Sequence, residues 1–320
     1  MNAAVVHALD APPRYGSFAE PVAGDGEAIV TVSAVGLHQI VKSLASGKHY
    51  GSTGTLLFIP GVDGVGRLED GKRVYFGFSR SPFGTFAERS VTTRTMCFPV
   101  PEALDDVTVA AMMNPAMSSW AALTVRAQFA AGESVLILGA TGVAGRLAIQ
   151  IAKRLGARRI VAAGRNARAL EEGKSLGADA VISLEQGREE LVAAIRREFS
   201  ENKIDVVLDY LWGGPAETLL EAISQKGLQH EATRIRYLQI GCVAGPTISL
   251  PGATLRSSGL EMYGSGFGSV SMEQILQSLR NFLEEASREP FQMKTKVVAL
   301  QDVETMWNAT EPGTRLVFRP

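Results

Sequence analysis

The sequence predicts an α/β protein in which a doubly wound parallel sheet is inserted into a β-rich domain. Residues 1 to about 110 contain short alternating segments bounded by turns, such as EAIVTVSAVG at 27–36. From about residue 115, apolar strands alternate with helices, as in the crossover units of a parallel sheet. The tail that begins KTKVVALQDVETMWN again has the apolar pattern of β-strands. The predicted domain segments are therefore 1–114, 115–265 and 266–320, and the last rejoins the first.

The elements of the middle segment follow in a regular order. SVLILG and RIVAAG are continuous apolar runs, typical of strands buried on both faces. GVAGRLAIQIAKRLGA has apolar residues at helical spacing and a glycine near its end. The same alternation continues through the helix ARALEEGKSLG, the strand DAVISL, the helix REELVAAIRREFS, the strand IDVVLDYL, the helix AETLLEAIS and the strand RYLQIGCV. One more helix, SMEQILQSLRNFLEEA, follows from about residue 266, before the tail.

Composition excludes several functional classes. The 320 residues are 46% apolar and carry a formal charge of −1, so no electrostatic attraction to nucleic acid or an anionic membrane is expected. No apolar run reaches the ~20 residues of a membrane helix. The two cysteines, Cys97 and Cys242, indicate neither a thiolate zinc cluster nor a disulfide framework. We therefore expect a cytoplasmic protein.

The segment LGATGVAGR lies directly between a buried strand and its helix, the context that a dinucleotide site requires. Gly139 allows the tight turn, Gly142 lets the backbone approach a pyrophosphate, and Gly145 permits close packing of helix on strand. The exposed N–H groups at the start of the helix then meet the phosphates. The alternative is a glycine-rich turn that binds nothing.

The end of the next strand indicates which dinucleotide is bound. A carboxylate at this point usually bonds the 2′-hydroxyl of NAD. Gly164 provides no such acceptor, Arg165 adds a planar fork suited to phosphate, and Asn166 adds a neutral donor. The segment therefore favours NADPH, with Arg168 as a weaker second candidate. Alternatively, Arg165 is only a solvated loop charge.

The chain resembles the medium-chain dehydrogenase/reductase superfamily, and in particular its zinc-free quinone oxidoreductase branch, over nearly its whole length. The segments that carry the resemblance are GATGVAGRLAIQIAKRLGA, SLGADAVISL, IDVVLDYLWG, AVGLHQIVKSLASGKHY, IPGVDGVGRLEDGKRVYFG, GTFAERSVT and FPVPEALDDVTVAAMMNPAMSSWAAL. The resemblance implies a GroES-like catalytic domain built from both chain ends, a Rossmann-type nucleotide-binding domain between them, an active-site cleft where they meet, and a homodimer.

The zinc ligands of the superfamily are missing at the matching positions. A ligating cysteine aligns with His38, a histidine with Val62, which precedes Asp63, and the late cysteine falls near Asn114. Because zinc needs three or four converging ligands, we expect no metal. His38 also replaces an asparagine that is usual in the quinone reductase branch. His38 could polarise a carbonyl or donate a proton, or it could simply be packed.

The resemblance also selects the candidate site residues. Tyr50 matches a tyrosine that could bond a substrate oxygen, although a packing role for its ring is equally open. Trp212 could instead be a core residue, and Cys242 is interpreted as a small apolar filler. With His38 and Tyr50 as catalytic candidates, the predicted cofactor-binding residues are Asn114, Met117, Ser118, Gly139, Ala140, Thr141, Gly142, Val143, Ala144, Gly164, Arg165, Asn166, Tyr210, Leu211, Trp212, Ile240, Gly241, Cys242 and Phe267.

These residues together predict an NADPH-dependent, zinc-independent oxidoreductase. Without a Lewis acid, the acceptors of hydride are quinones or α,β-unsaturated carbonyls, which spread the negative charge over a conjugated system. Two alternatives stay open: an NADPH-binding sensor without catalysis, and a zinc-type alcohol dehydrogenase with unusual ligands.

Overall fold

The computed structural model describes residues 1–224 and 233–320. In these residues the strands are β1 Asn2–Val5, β2 Arg14–Ser17, β3 Glu27–Gly36, β4 Asp63–Leu68, β5 Arg73–Gly77, β6 Arg89–Thr93, β7 Cys97–Pro99, β8 Ser134–Leu138, β9 Arg159–Gly164, β10 Ala180–Ser183, β11 Val206–Asp209, β12 Arg234–Gln239, β13 Gly259–Gly264, β14 Lys294–Ala299 and β15 Thr314–Arg319. The helices are α1 Gln39–Ala45, α2 Asp106–Ala121, α3 Val143–Arg154, α4 Ala167–Leu176, α5 Arg188–Asn202, α6 Gly213–Ile223, α7 Gly252–Ser257, α8 Met272–Arg288 and α9 Val303–Met306.

The described residues divide into two compact units. Unit 1 comprises Met1–Pro115 together with Leu279–Pro320, and unit 2 comprises Ala116–Ser278. Helix α8 begins in unit 2 and ends in unit 1. The domain boundaries predicted after residues 114 and 265 stay a prediction.

Unit 1 is built on a mixed sheet in which both ends of the chain take part. The described strands follow the order β14-β15-β3-β4-β5-β7, with β6 also paired to β3. Strand β15 pairs antiparallel with β3 through Val317 opposite Gly36, so the C-terminal tail completes the N-terminal sheet. The core of this unit includes Phe76, Phe86 and Phe318, all fully buried.

Unit 2 is a parallel sheet whose described strands follow the order β10-β9-β8-β11-β12-β13. Every residue of β8, SVLIL, is buried, as expected for a strand covered on both faces. The order reverses between β8 and β11, so the carboxyl ends of these strands meet at the topological switch point of a doubly wound sheet. The predicted fold class is confirmed.

Local capping explains where the helices next to the site begin and end. The Asn166 side chain accepts a hydrogen bond from the Ala169 N–H and so caps α4, and Gly177 ends that helix at a φ of 120°.

Helix α7 lies in a segment, GPTISLPGATLRSSG, whose composition is typical of a loop. None of the helices that the structure describes is long and apolar enough to cross a membrane.

Candidate functional site

The carboxyl edge of the unit 2 sheet brings four predicted groups of residues together. The glycine turn follows β8, Gly164 ends β9, Tyr210 follows β11 and Ile240 follows β12. Strands β9, β8, β11 and β12 are consecutive neighbours in the sheet. Open α/β sheets bind ligands in the crevice outside this edge.

The glycine turn combines a backbone conformation that favours glycine with free space. Gly139 has a φ of 89°, and its N–H and that of Ala140 both donate to the Ala163 carbonyl oxygen at 2.9 Å. A Cβ on Gly145 would overlap the Gly139 carbonyl oxygen and the Ala140 Cα, so only glycine lets α3 pack this closely on the turn. In contrast, a Cβ on Gly142 would find its nearest atom 3.6 Å away. Space therefore lies beside Gly142, the residue predicted to approach a phosphate.

The start of α3 leaves backbone donors without helical acceptors. The first helical bond of the turn is donated by the Arg146 N–H to the Gly142 carbonyl oxygen, and no side chain caps the helix at Gly142. The N–H groups of Val143, Ala144 and Gly145 precede that bond. Such groups, together with the positive end of a 12-residue helix, have the geometry that favours an anion.

Gly164 has a packing reason for being glycine. A Cβ at this position would lie 2.5 Å from Thr141 Cγ2 and 3.0 Å from Thr141 Oγ1. The side chain of Thr141, which belongs to the glycine turn, therefore occupies the space that an acidic residue at the end of β9 would need. The absence of a carboxylate at position 164 is therefore consistent with the packing of Thr141 as well.

The charged residues after β9 are mostly exposed. Arg165 and Asn166 lie at the surface. The Asn166 Oδ1 is used in capping α4, which leaves its Nδ2 group to donate. Glu172 lies 3.1 Å from Arg146 Nη1 and 3.4 Å from the Nε of Arg168, whose side chain is 90% exposed. Arg165 is thus the cation nearest in sequence to Gly164, with Arg168 held in an ion pair.

The loop after β11 is fixed by a buried carboxylate. Asp209 is fully buried and accepts hydrogen bonds from the Leu211 N–H at 2.7 Å, the Trp212 N–H at 3.0 Å and Tyr237 Oη at 2.6 Å. Burial raises the pKa of Asp209, and these bonds oppose that rise. Trp212 is held at a φ of 57° and a ψ of −159°, a region that is populated almost only by glycine. The carboxylate therefore holds the loop in a strained form.

The other residues predicted at this edge have mixed environments. Tyr210 is buried, its Oη lies 3.2 Å from Ser118 Oγ, and burial raises its pKa to about 12. The Ile240 and Gly241 N–H groups donate to the Asp209 carbonyl oxygen. Cys242 is exposed, so its interpretation as an apolar filler is wrong: it follows β12 in an open turn.

Three further predicted cofactor-binding residues lie on other elements of the chain. Asn114 and Met117 lie on α2, and both are partly exposed. Phe267 follows β13 in a turn and is exposed. Their roles as cofactor contacts stay predictions.

Unit 1 buries His38 among ionisable groups. His38 follows β3 and is 1% exposed, and its Nε2 lies 3.4 Å from Oδ1 of Asp63, which is 4% exposed. Tyr75 Oη donates to Asp63 Oδ2 at 2.9 Å. Within the described residues, neither ring nitrogen of His38 has a hydrogen bond, and Asp63 Oδ1 also has none. Unsatisfied buried polar atoms cost about 1–3 kcal/mol each, and they often mark a functional site.

A buried arginine from the C-terminal strand completes this group. Arg315 on β15 donates from Nη1 to the Leu37 carbonyl oxygen at 2.5 Å. Burial lowers its pKa to about 10, against the opposing effect of Asp63, so Arg315 is charged at neutral pH. Burial lowers the pKa of His38 below its ordinary 6.5; Asp63 opposes this change, and Arg315 adds to it. His38 is therefore mostly neutral at pH 7.

Tyr50, in contrast, is 76% exposed, in the turn that follows α1. Its ring lies on that of His49, with 4.1 Å between the centroids. The structure does not place Tyr50 with the buried group around His38, and its role stays a prediction.

The sequence analysis did not identify Asp209, Tyr237, Tyr75 or Arg315 as part of a site. Each lies in an ordinary strand, and no local pattern marks it. The one available signal was a carboxylate at the end of an apolar strand, in VVLD, because such a strand buries its last residue.

Comparison with known proteins identifies related chains. The family model described as "Zinc-binding dehydrogenase" matches residues 144–284. A probable NADPH-dependent quinone reductase of Emericella nidulans is 25% identical over 361 aligned positions that cover 100% of both chains. The quinone oxidoreductase of Pongo abelii is 30% identical over 211 positions, 60% of each chain. The crystal structure of the quinone oxidoreductase from Thermus thermophilus, also solved with NADPH, is 25% identical, with a TM-score of 0.81 and full coverage of both chains.

The zinc named in the description of that family model does not fit the residues present. Across residues 1–224 and 233–320, no three His, Cys, Asp or Glu side chains converge as metal ligands would. His38 and Asp63 form a pair only, and Val62, the neighbour of Asp63, has no ligating atom. We therefore derive no step through a metal.

Proposed function

Because the chain belongs to the medium-chain dehydrogenase/reductase superfamily, in its quinone oxidoreductase-like branch, we propose that it is an NADPH-dependent, zinc-independent oxidoreductase that reduces a quinone or an α,β-unsaturated carbonyl. The observation that carries the proposal is the carboxyl edge of the unit 2 sheet. There the uncapped N–H groups of α3 adjoin a strand end that bears Arg165 and no acid.

Unit 2 supplies the proposed NADPH site. The N–H groups of Val143, Ala144 and Gly145 bind the pyrophosphate, and the space beside Gly142 lets it approach. Arg165, with the Nδ2 group of Asn166, binds the 2′-phosphate. The loop held by Asp209 and the segment that follows β12 line the crevice nearer the nicotinamide.

NADPH, when bound, supplies a hydride from C4 of its nicotinamide. The chain's own residues then orient the acceptor, exclude water and provide a donor to the oxygen that gains charge. Quinones and enones suit such a site because their conjugation spreads the charge without a Lewis acid. His38 is the proposed contact of the substrate oxygen, since its buried ring nitrogens lack partners in the described structure. Tyr50 stays a second proposed donor.

Arg165→Ala is expected to weaken NADPH binding about 10- to 150-fold and to leave NADH binding unchanged. The reason is the loss of a charge-assisted hydrogen bond, worth about 1.5–3 kcal/mol, to the 2′-phosphate alone. Fluorescence titration of both coenzymes measures this change. Arg188→Ala, which removes an exposed arginine of α5, is the matched control and should bind both as the unchanged protein does. Equal weakening of NADPH and NADH would assign Arg165 to something other than the phosphate.

His38→Ala is expected to lower kcat/KM for quinone or enone reduction about 100-fold or more, the usual contribution of a positioned acid–base group. His7→Ala removes an exposed histidine of the same unit and should leave the rate unchanged. The measurement is NADPH oxidation, followed by its absorbance, from about pH 5 to 8. A His38→Ala protein with unchanged kcat/KM over that range would exclude His38 as an acid or oxyanion donor.

The function as a whole is tested with a panel of quinones, enones and simple aldehydes, each offered with NADPH and with NADH. We expect turnover of the conjugated acceptors with NADPH, and no stimulation by added zinc. Tight NADPH binding without turnover of any acceptor would instead support the sensor. Reduction of the simple aldehydes that depends on added zinc would support the alcohol dehydrogenase.

A homodimer and a cytoplasmic location are also part of the proposal. The support for a dimer is that β13 forms an edge of the described unit 2 sheet and that its residues Glu261, Met262 and Tyr263 are partly exposed. An open edge can pair with a second copy.

A further inference from the structure

The buried group around His38 contains two opposite fixed charges that act on the same ring. Asp63 approaches His38 Nε2 from β4, and Arg315 reaches the group from β15, on the opposite side of β3 in the sheet order. Both charged side chains are at least nine-tenths buried. Water screens such charges poorly, so each acts strongly on the state of the histidine.

Asp63 determines which nitrogen of His38 carries a proton. The carboxylate already accepts a hydrogen bond from Tyr75 Oη on Oδ2, and its Oδ1 faces the ring. A carboxylate only accepts hydrogen bonds, so the nitrogen that faces it carries hydrogen. Neutral His38 is then protonated on Nε2, and Nδ1 is the atom that gains or loses a proton. The 3.4 Å separation of Nε2 from Oδ1 is long for a hydrogen bond, so the carboxylate acts on the ring chiefly through its charge.

Arg315 opposes the protonation of Nδ1. Its guanidinium is fixed on the carbonyl oxygen of Leu37, the residue immediately before His38. Two further groups lie close to this cluster: Lys42 on α1, whose pKa is also lowered by burial and by Arg315, and the Ala110 carbonyl oxygen on α2, which favours protonated His38. The net result is a histidine that rests neutral but next to a fixed anion.

We propose that Asp63 and Arg315 are positioning residues that make His38 a proton carrier for the substrate: Asp63 selects Nδ1 as the exchanging atom, and Arg315 keeps the resting ring neutral. This inference rests on the proposed function and adds the source of the proton that the substrate oxygen receives. In the reduction, the Nδ1–H bond of protonated His38 breaks and its electron pair stays on nitrogen. An O–H bond forms on the substrate oxygen, the two reducing electrons come with the hydride of NADPH, and solvent later returns a proton to His38.

The two positioning residues predict shifts of opposite sign. Asp63→Asn removes the charge that favours protonated His38, so the ring should titrate about one pH unit lower. Arg315→Gln removes the charge that disfavours it, so the ring should titrate about one unit higher. Arg315→Lys keeps the charge and should leave the titration close to that of the unchanged protein. Because Asp63→Asn and Arg315→Gln each predict a shift of stated sign, either one tests the inference if the other fails to fold.

The experiment is an NMR titration of ¹³C-labelled histidine in the full chain without ligand. The chain has four histidines, and the spectrum of His38→Gln assigns the signal of His38. We expect His38 to titrate below 6.5, with the two shifts just described. Shifts of the same sign for both variants, or none for either, would overturn the inference.

The pH profile of kcat/KM then separates the inference from the proposed function. Protonated His38 is the donor, so the rate should rise as the pH falls through the His38 pKa, and the inflection should move with each variant. If the enzyme turns over but neither substitution moves the inflection of its kcat/KM profile, the role of His38 as proton carrier is overturned and the proposed reductase activity is not. Opposite NMR shifts without turnover of any acceptor overturn the reductase, and with it the role of the proton carrier.

Discussion

Gly164→Asp is expected to reverse the coenzyme preference, raising the ratio of the NADPH to the NADH dissociation constant about 30- to 150-fold. A carboxylate at the end of β9 would face the 2′-phosphate, and the repulsion between them, partly screened by water, is about 2–3 kcal/mol. NADH has a hydroxyl at that position, from which a carboxylate can accept a hydrogen bond. Titration of both coenzymes gives the ratio directly.

The packing of Thr141 makes a control essential for this substitution. Any Cβ at 164 would come within 2.5 Å of Thr141 Cγ2, so both coenzymes should lose some affinity through the displaced turn. Gly164→Ala introduces the Cβ without the charge and should leave the ratio unchanged. If alanine and aspartate change the ratio equally, the shape of the turn and not the charge decides the preference.

Asp209→Ala is expected to lower the free energy of unfolding by about 3–5 kcal/mol. The substitution leaves Tyr237 Oη without an acceptor in a buried place, at about 1–3 kcal/mol, and the partly buried Leu211 and Trp212 N–H groups without theirs, at about 1 kcal/mol each. Urea unfolding followed by circular dichroism measures the loss. NADPH binding should also weaken, because the substitution removes the hydrogen bond that holds Trp212 in its strained conformation.

Tyr237→Phe is the matched control for Asp209→Ala. It removes one donor and leaves the carboxylate bonded to both backbone N–H groups, so the expected loss is about 1 kcal/mol. If Asp209→Ala costs no more than Tyr237→Phe, then the bonds to the loop contribute nothing, and the carboxylate does not hold the loop.

The sequence predicts the fold well where a local pattern decides it. The buried run SVLIL, the glycine turn and the helices α3 and α4 all lie where the apolar spacing and the turn residues indicate. Helix α7 was missed because its six residues follow Pro251 and include Gly252, so its composition resembles a loop.

The contacts that define the candidate site could not be predicted because they depend on how strands distant in sequence pair in the sheets. Arg315 reaches Leu37 only because β15 pairs with β3 across 278 residues of sequence. Tyr237 bonds Asp209 because parallel pairing sets β12 beside β11. The reason why Gly164 excludes a side chain lies in Thr141, on the preceding turn. A single residue type in one strand carries no signal for such a partner.

We propose that the carboxyl edge of the unit 2 sheet selects the phosphorylated coenzyme. Equilibrium titration of the unchanged protein with NADPH and NADH, side by side at one ionic strength, measures this selection. We expect NADPH to bind at least about tenfold more tightly, as one charge-assisted bond to phosphate would provide. Equal dissociation constants for the two coenzymes would contradict it.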